Sequence, residues 1–134
     1  MTVLDAGAEL PALTVDPISR TTLALFAGAS GDHNPIHVDL DVARSAGLDD
    51  VFAHGMLSMA YLGRLVCSLA PPERIRSFGA RFVSITPVHG RPTCSATVRQ
   101  VDVVDGERRA TVDLVAALAD GTITLTGEAV IAVN

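Results

Sequence analysis

The stretch "SGDHNPIHVD", residues 30–39, gathers two imidazoles, two carboxylates and an amide around one proline. Asp32 and His37 are separated by a short polar segment that contains Asn34 and Pro35. Pro35 drives Asn34 toward an extended conformation and removes one amide donor, so the segment is expected to fold back as a loop. Such a loop can bring a carboxylate and an imidazole onto one point. There they would grip a single water molecule and exchange protons with it near neutral pH, the task histidine suits best. Three readings stand on these residues alone. The first is an acid–base pair. The second is a polar surface loop in which Asp32 and Asn34 only cap and turn the chain. The third is a metal site drawn from His33, His37 and either His54 or Asp39. The spacing matches neither a zincin helix nor a Cys/His cluster, so no metal ligand set is expected.

A second stretch, "AHGMLS", residues 53–58, puts Gly55 where a long apolar segment begins. The first amides of a helix have no intrahelical partner, and a helix N-terminus favours negative charge. Glycine lets a ligand approach the backbone closely. A carbonyl oxygen set against the Gly55 N–H would be polarised as it becomes an enolate oxygen. The plainer alternative is a glycine placed for packing or chain entry.

The elements that must hold these groups divide into a helical first half and a β second half. "SRTTLALFAGASGD" opens with Ser19 as N-cap, sets Leu23, Phe26 and Ala27 on one face, and should end between Gly28 and Gly31. "DLDVARSAG" reads as a short helix with Asp39 near its start and Gly47 as its stop. "HGMLSMAYLGRLVCSLA" is apolar nearly all round, with Arg64 its only charge, which predicts a helix wrapped by other structure and stopped at Pro71-Pro72. Beyond it the period becomes two. Ala110, Val112, Leu114, Ala116 and Leu118 form one apolar face; Ile123, Leu125, Ala129, Ile131 and Val133 form another. Asp105-Gly106 and Asp120-Gly121 mark turns, a slip of phase near Arg99-Gln100 predicts a bulge, and "SFGARFVSIT" supplies a further strand ending at Pro87. The expected fold class is α+β: a curled antiparallel sheet around a central buried helix, in one domain over residues 1–134.

Composition narrows the classes. The 134 residues are 49 % hydrophobic but only 4 % aromatic, so the core must be aliphatic. A net charge of −5 leaves nothing to neutralise phosphates in bulk, so no nucleic-acid partner is expected. The two cysteines, Cys67 and Cys94, make no disulfide framework and are expected to be small buried apolar side chains in a reducing compartment. "MTVLDAGAELPALTVD" carries acids and no basic leader, and no run reaches the roughly 18 apolar residues of a membrane span. A soluble cytoplasmic protein without membrane insertion is expected.

"FAGASGDHNPIHVDLDVARSAGLDDVFAHGMLSMAYLGRLV" resembles the signature of the MaoC-like, or R-specific, enoyl-thioester hydratases and dehydratases of the hot-dog fold. It is especially similar to the catalytic subunits of 3-hydroxyacyl-carrier-protein dehydratases. The D-x-N-P-x-H element followed by A-H-G-M carries the likeness, and the strand order extends it to the C-terminus. The resemblance implies Asp32 and His37 as catalytic dyad, Asn34 orienting the water or the dyad, and the Gly55 N–H binding the thioester oxygen. His54, Met56 and Ser58 would border the substrate pocket, with His54 supporting the loop rather than reacting. It implies a hydro-lyase converting trans-2-enoyl thioesters to (3R)-3-hydroxyacyl thioesters and back, with no cofactor. The substrate would be an acyl-CoA or acyl-carrier-protein thioester. The partner would be a second copy, in a homodimer, or a related hot-dog subunit, in a heterodimer. The alternatives are a hot-dog acyl thioesterase and a thioester-binding subunit of a heteromeric dehydratase.

Overall fold

The computed structural model describes residues 4–133; residues 1–3, the start of the segment read as lacking a leader, lie outside the described residues. A two-residue strand β1 (Leu13–Thr14) precedes helix α1 (Arg20–Ser30). Ser19 caps α1 by accepting the Thr22 N–H at 3.0 Å, and Gly31 closes it in the left-handed region at φ 79°. A 3-10 turn, Pro35–His37, leads to α2 (Leu40–Ser45), whose first amides bond the Asp39 carboxylate. Helix α3 (Gly55–Leu69) stops where Ala70 turns extended before Pro71.

Strands β2 (Ile75–Phe82), β3 (Thr93–Val104), β4 (Glu107–Ala117) and β5 (Ile123–Ala132) follow, and the sheet order is β1-β3-β4-β5-β2, antiparallel throughout. Asp105 and Gly106 both take positive φ (52° and 78°), the backbone of a tight hairpin turn between β3 and β4. The strands do not simply follow one another across the sheet. β2 pairs with β5 at the far edge, and the connection 83–92 carries the chain back to β3.

The curled sheet turns one face toward α3, which touches β2, β3, β4 and β5. Leu62, Leu65, Val66 and Leu69 pack there on Val98, Val112, Leu114, Leu125 and Ile131, with Ala96, Ala110, Ala116 and Ala129 letting the helix approach closely. A smaller cluster of Ile18, Leu23, Ala43, Val51, Ala53, Leu57 and Val88 ties α1, α2 and the entry to α3 together. This second cluster is the base on which the polar loop rests.

Four details differ from the expectations. The wrap around α3 is partial: Met56, Ala60, Arg64 and Cys67 lie on an exposed face that no strand among the described residues covers. Cys67 is therefore exposed, while Cys94 is buried as expected. The strand expected to end at Pro87 ends at Phe82, because the Val83 and Ser84 amides both turn onto the Thr124 carbonyl. Ile123 lies outside the apolar face: the register shifts opposite Ala116 and Ala117, Thr124 is buried in its place, and Ile123 is 43 % exposed. The bulge expected near Arg99-Gln100 is present, as a register shift between Val98 and Gln100. No helix among the described residues is long and apolar enough to cross a membrane.

Candidate active site

The polar loop leaves α1 through Gly31 and folds back on itself. The Asp32 amide bonds Ser30 Oγ at 3.1 Å, and Asp32 Oδ1 accepts the Asn34 N–H at 3.2 Å. Asn34 Oδ1 accepts the Ile36 N–H at 3.1 Å and so starts the 3-10 turn that delivers His37. The structure thus ties the Asn34 side chain to the turn and its amide to the Asp32 carboxylate. This local folding brings Asp32 Oδ2 to 3.8 Å from His37 Nε2. That separation is too long for a direct hydrogen bond and suited to one water bridging both groups. The Asp32 side chain is half exposed, whereas His37 is buried.

His37 Nδ1 lies 2.7 Å from the Phe52 carbonyl oxygen. A carbonyl only accepts, so Nδ1 carries the proton and the neutral ring presents the bare Nε2 lone pair toward Asp32. His54 is held in the same manner from the other side: its Nε2–H donates to the Asp32 carbonyl at 3.2 Å. Its ring stacks on His37 with centroids 3.9 Å apart and 27° between planes, and meets the edge of Phe26 at 4.8 Å. His54 Nδ1 is buried with no hydrogen-bond partner among the described residues. An unsatisfied buried acceptor costs about 1–3 kcal/mol, which burial among apolar groups imposes here. The same burial, followed by the neighbouring His37, holds the His54 pKa below the usual imidazole value.

Ligand-capable atoms of Asp32, His37 and His54 lie within 4.8 Å of one another, the one such group of three among the described residues. Two of the ring nitrogens, His37 Nδ1 and His54 Nε2, are already engaged with the Phe52 and Asp32 carbonyls, which leaves His37 Nε2, His54 Nδ1 and the Asp32 carboxylate as the groups that could face a cation.

His54 is the N-cap of α3 and Gly55 its first residue. A pocket of about 320 Å³ opens beside this helix start, lined by Gly55, Ser58, Phe82, Ile85, Thr86 and Leu125 among others. Ser58 and Thr86 are buried, with their hydroxyls 3.4 Å apart. Met56 points elsewhere: it is 57 % exposed and not among the lining residues. A Cβ on Gly55 would meet the Phe82 ring at 2.9 Å, so the absence of a side chain there keeps the helix start and the ring together.

The structure therefore brings Asp32, His37 and His54 into one cluster, sets Gly55 and Ser58 on the adjoining pocket, and leaves Met56 and His33 outward. Sequence reasoning missed Phe52, whose carbonyl holds His37 Nδ1 and leaves no residue-type signal, and whose ring packs on His37 with centroids 4.9 Å apart. It also missed Phe82, Ile85 and Thr86; the side-by-side Phe82 and Val83, which break strict alternation, were the available hint.

A family model described as "MaoC like domain" matches residues 6–119. Over 116 residues the chain is 30 % identical to the (R)-specific enoyl-CoA hydratase of Rhodospirillum rubrum, covering 87 % of this chain and 80 % of that protein. It is 30 % identical over 123 residues to fatty acid synthase subunit beta of Saccharomyces cerevisiae; that match takes in 90 % of this chain but spans only 6 % of the far longer subunit. Among solved structures, the ChsH1-ChsH2 complex of Mycobacterium tuberculosis superposes with a TM-score of 0.81 at 28 % identity, over 100 % of both chains.

Proposed function

The chain belongs to the MaoC-like domain family, matched over residues 6–119, and on that premise we propose that it is a hydro-lyase acting on acyl thioesters. It adds water reversibly to trans-2-enoyl thioesters and yields (3R)-3-hydroxyacyl thioesters. The similarity to a hydratase named for that stereochemistry supports the assignment. The observation that carries it is the 3.8 Å gap between Asp32 Oδ2 and a His37 Nε2 whose opposite nitrogen is tied to a carbonyl.

In this mechanism the enoyl thioester lies with its carbonyl oxygen on the Gly55 N–H and its acyl chain toward the adjoining pocket. Asp32 and His37 hold one water between them. As the water oxygen bonds to C3, its proton passes to His37 Nε2, and the nearby Asp32 carboxylate stabilises the imidazolium. The C2–C3 π pair moves toward the carbonyl, and the negative charge gathers on the oxygen facing the helix N-terminus. The imidazolium then returns its proton to C2, so the dyad ends as it began. Dehydration runs the same steps backward. The chemistry needs no redox change, because the thioester itself supplies the electron sink.

The working unit is a pair of hot-dog subunits, formed with a second copy or a related chain. Edge strand β2 and the exposed Phe82, Val83 and Ile85 beside it are the surface suited to that pairing, and the likeness to a two-component complex supports it.

The test is to incubate the purified chain with trans-2-enoyl-CoA thioesters of increasing length. Loss of the conjugated chromophore and R configuration at C3 are the expected results. Release of free thiol without hydration would overturn the reading in favour of a thioesterase.

A further inference from the structure

The dyad residues come from one loop, yet both are gauged by a second segment only three residues long. Phe52 supplies the carbonyl that fixes His37 through Nδ1, and His54 supplies the Nε2–H that fixes the Asp32 backbone at its carbonyl. The following residue, Gly55, begins α3. The segment is itself anchored from behind, with the Ala53 amide on the Thr86 carbonyl at 2.8 Å and the Val88 amide on the Val51 carbonyl at 3.3 Å. Of its two pins, Phe52 holds His37 through its backbone carbonyl and also sets its ring against the imidazole, with centroids 4.9 Å apart. His54 acts through a side chain.

We infer that His54 is a positioning residue of the reaction: through its bond to the Asp32 carbonyl and its face against His37, it sets the spacing between the carboxylate and the imidazole. This rests on the dyad reading above. Three observations carry it. The Nε2–H of His54 reaches the residue bearing the carboxylate, not merely a neighbouring loop. Its ring covers one face of the reacting imidazole at 3.9 Å. Its other nitrogen is buried with no hydrogen-bond partner among the described residues, so the bond to the Asp32 carbonyl is the one hydrogen bond shown for the ring. A residue present for packing alone would need no donor here, since the contacts with Phe26 and His37 are ring contacts that an apolar ring can also make.

The charge state matters as well. Asp32 and His37 are the titratable groups that act on His54, and the proposed cycle makes His37 transiently cationic. A neutral His54 lets that charge form at van der Waals distance; a second cation in the stack would oppose it.

The experiment compares His54→Phe, His54→Gln and His54→Asn in the full chain. Phe keeps a flat ring and removes the buried acceptor, but it has no donor for the Asp32 carbonyl. Gln places an amide N–H at the reach of Nε2, whereas Asn is too short. Positioning predicts that His54→Phe melts at or above the wild-type temperature while kcat falls on the order of 10- to 100-fold, with KM changed less than about threefold, as misplacement by about 1 Å would give. His54→Gln should recover most of that loss and His54→Asn should not. In a crystal structure of His54→Phe the separation of Asp32 Oδ2 from His37 Nε2 should depart from the 3.8 Å of the wild type. Wild-type kcat in His54→Phe, or activity lost only in step with thermal stability, overturns the inference. If His54→Phe does not fold, equal kcat in the Gln and Asn variants overturns it. Should the wild-type chain hydrate no enoyl thioester, the proposed function fails, and the Asp32–His37 separation in the His54→Phe crystal structure still decides whether His54 sets the spacing.

Discussion

The Phe52 carbonyl and His37 Nδ1 lie 2.7 Å apart, and this contact decides which nitrogen of the imidazole faces Asp32. With the proton fixed on Nδ1, the lone pair at Nε2 is free to take one from water. Asp32, 3.8 Å away, is placed to stabilise the ring once it is charged. We expect Asp32→Asn and His37→Ala each to lower kcat for enoyl-thioester hydration by on the order of 10²–10⁴, the usual worth of a positioned acid–base group. The Asp32 side chain is tied to its turn by accepting the Asn34 N–H, a bond that Asn at 32 can keep, so Asp32→Asn should fold normally. Near wild-type turnover in either variant, measured by chromophore loss, would remove the dyad from the mechanism.

The two apolar residues Leu62 and Ile123 looked alike by pattern, one on the helix and one on a strand's apolar face. Leu62 is fully buried against the sheet, whereas Ile123 is turned outward where the register shifts opposite Ala116 and Ala117. Leu62→Ala should therefore cost about 2–5 kcal/mol in urea denaturation. Ile123→Ala should cost under about 1 kcal/mol, as surface changes usually do. Comparable losses at both sites would mean that β5 pairs in another register.

Glu107 opens β4 directly after the Asp105-Gly106 turn, between the guanidinium groups of Arg76 and Arg109. The bond from Arg76, then that from Arg109, brings its carboxyl from 4.5 down to about 2. A depressed carboxylate contributes stability that is fully present above its unfolded value and is lost as pH falls through its folded value. The melting-temperature difference between wild type and Glu107→Gln should thus be constant above about pH 5 and shrink between about pH 4.5 and 2. Because the group is at the surface, salt should reduce the difference at neutral pH. A difference that does not change with pH would show that the two arginines do not act on this carboxylate.

Much of this architecture was legible because it follows from local rules. Ser19, Gly31, Asp39 and Pro71 set helix ends through capping and sterics that depend only on near neighbours. The alternation from Ala110 to Ala116 recorded which face of β4 is buried. The site was partly legible for the same reason: Pro35 and Asn34 fold the loop by themselves and so bring Asp32 toward His37. What was hidden is non-local. The pairing of β2 with β5 depends on the path of residues 83–92, and the outward turn of Ile123 depends on a bulge at Thr124 that its own residue type does not announce. The Phe52 carbonyl that orients His37 was unreadable because every residue has one; only the fold selects it.

Gly55 offers the sharpest separation of donor from shape. As the first residue of α3 its N–H has no intrahelical acceptor, so proline is tolerated there conformationally while deleting that donor. His54 before it is already extended, at φ −56° and ψ 133°, as the residue preceding a proline must be. The complication is Phe82, whose ring lies 2.9 Å from the position of an added Cβ; its edge is half exposed and can swing aside. Gly55→Ala carries this steric change and keeps the donor, so it is the reference. Against it, Gly55→Pro should lower kcat by a further factor on the order of 10²–10³, the loss usual for one oxyanion donor. Adding Phe82→Ala to both variants should relieve the crowding and leave that ratio intact. Equal turnover in the alanine and proline variants would mean that the thioester oxygen rests on some other group, and that the start of α3 serves the fold alone.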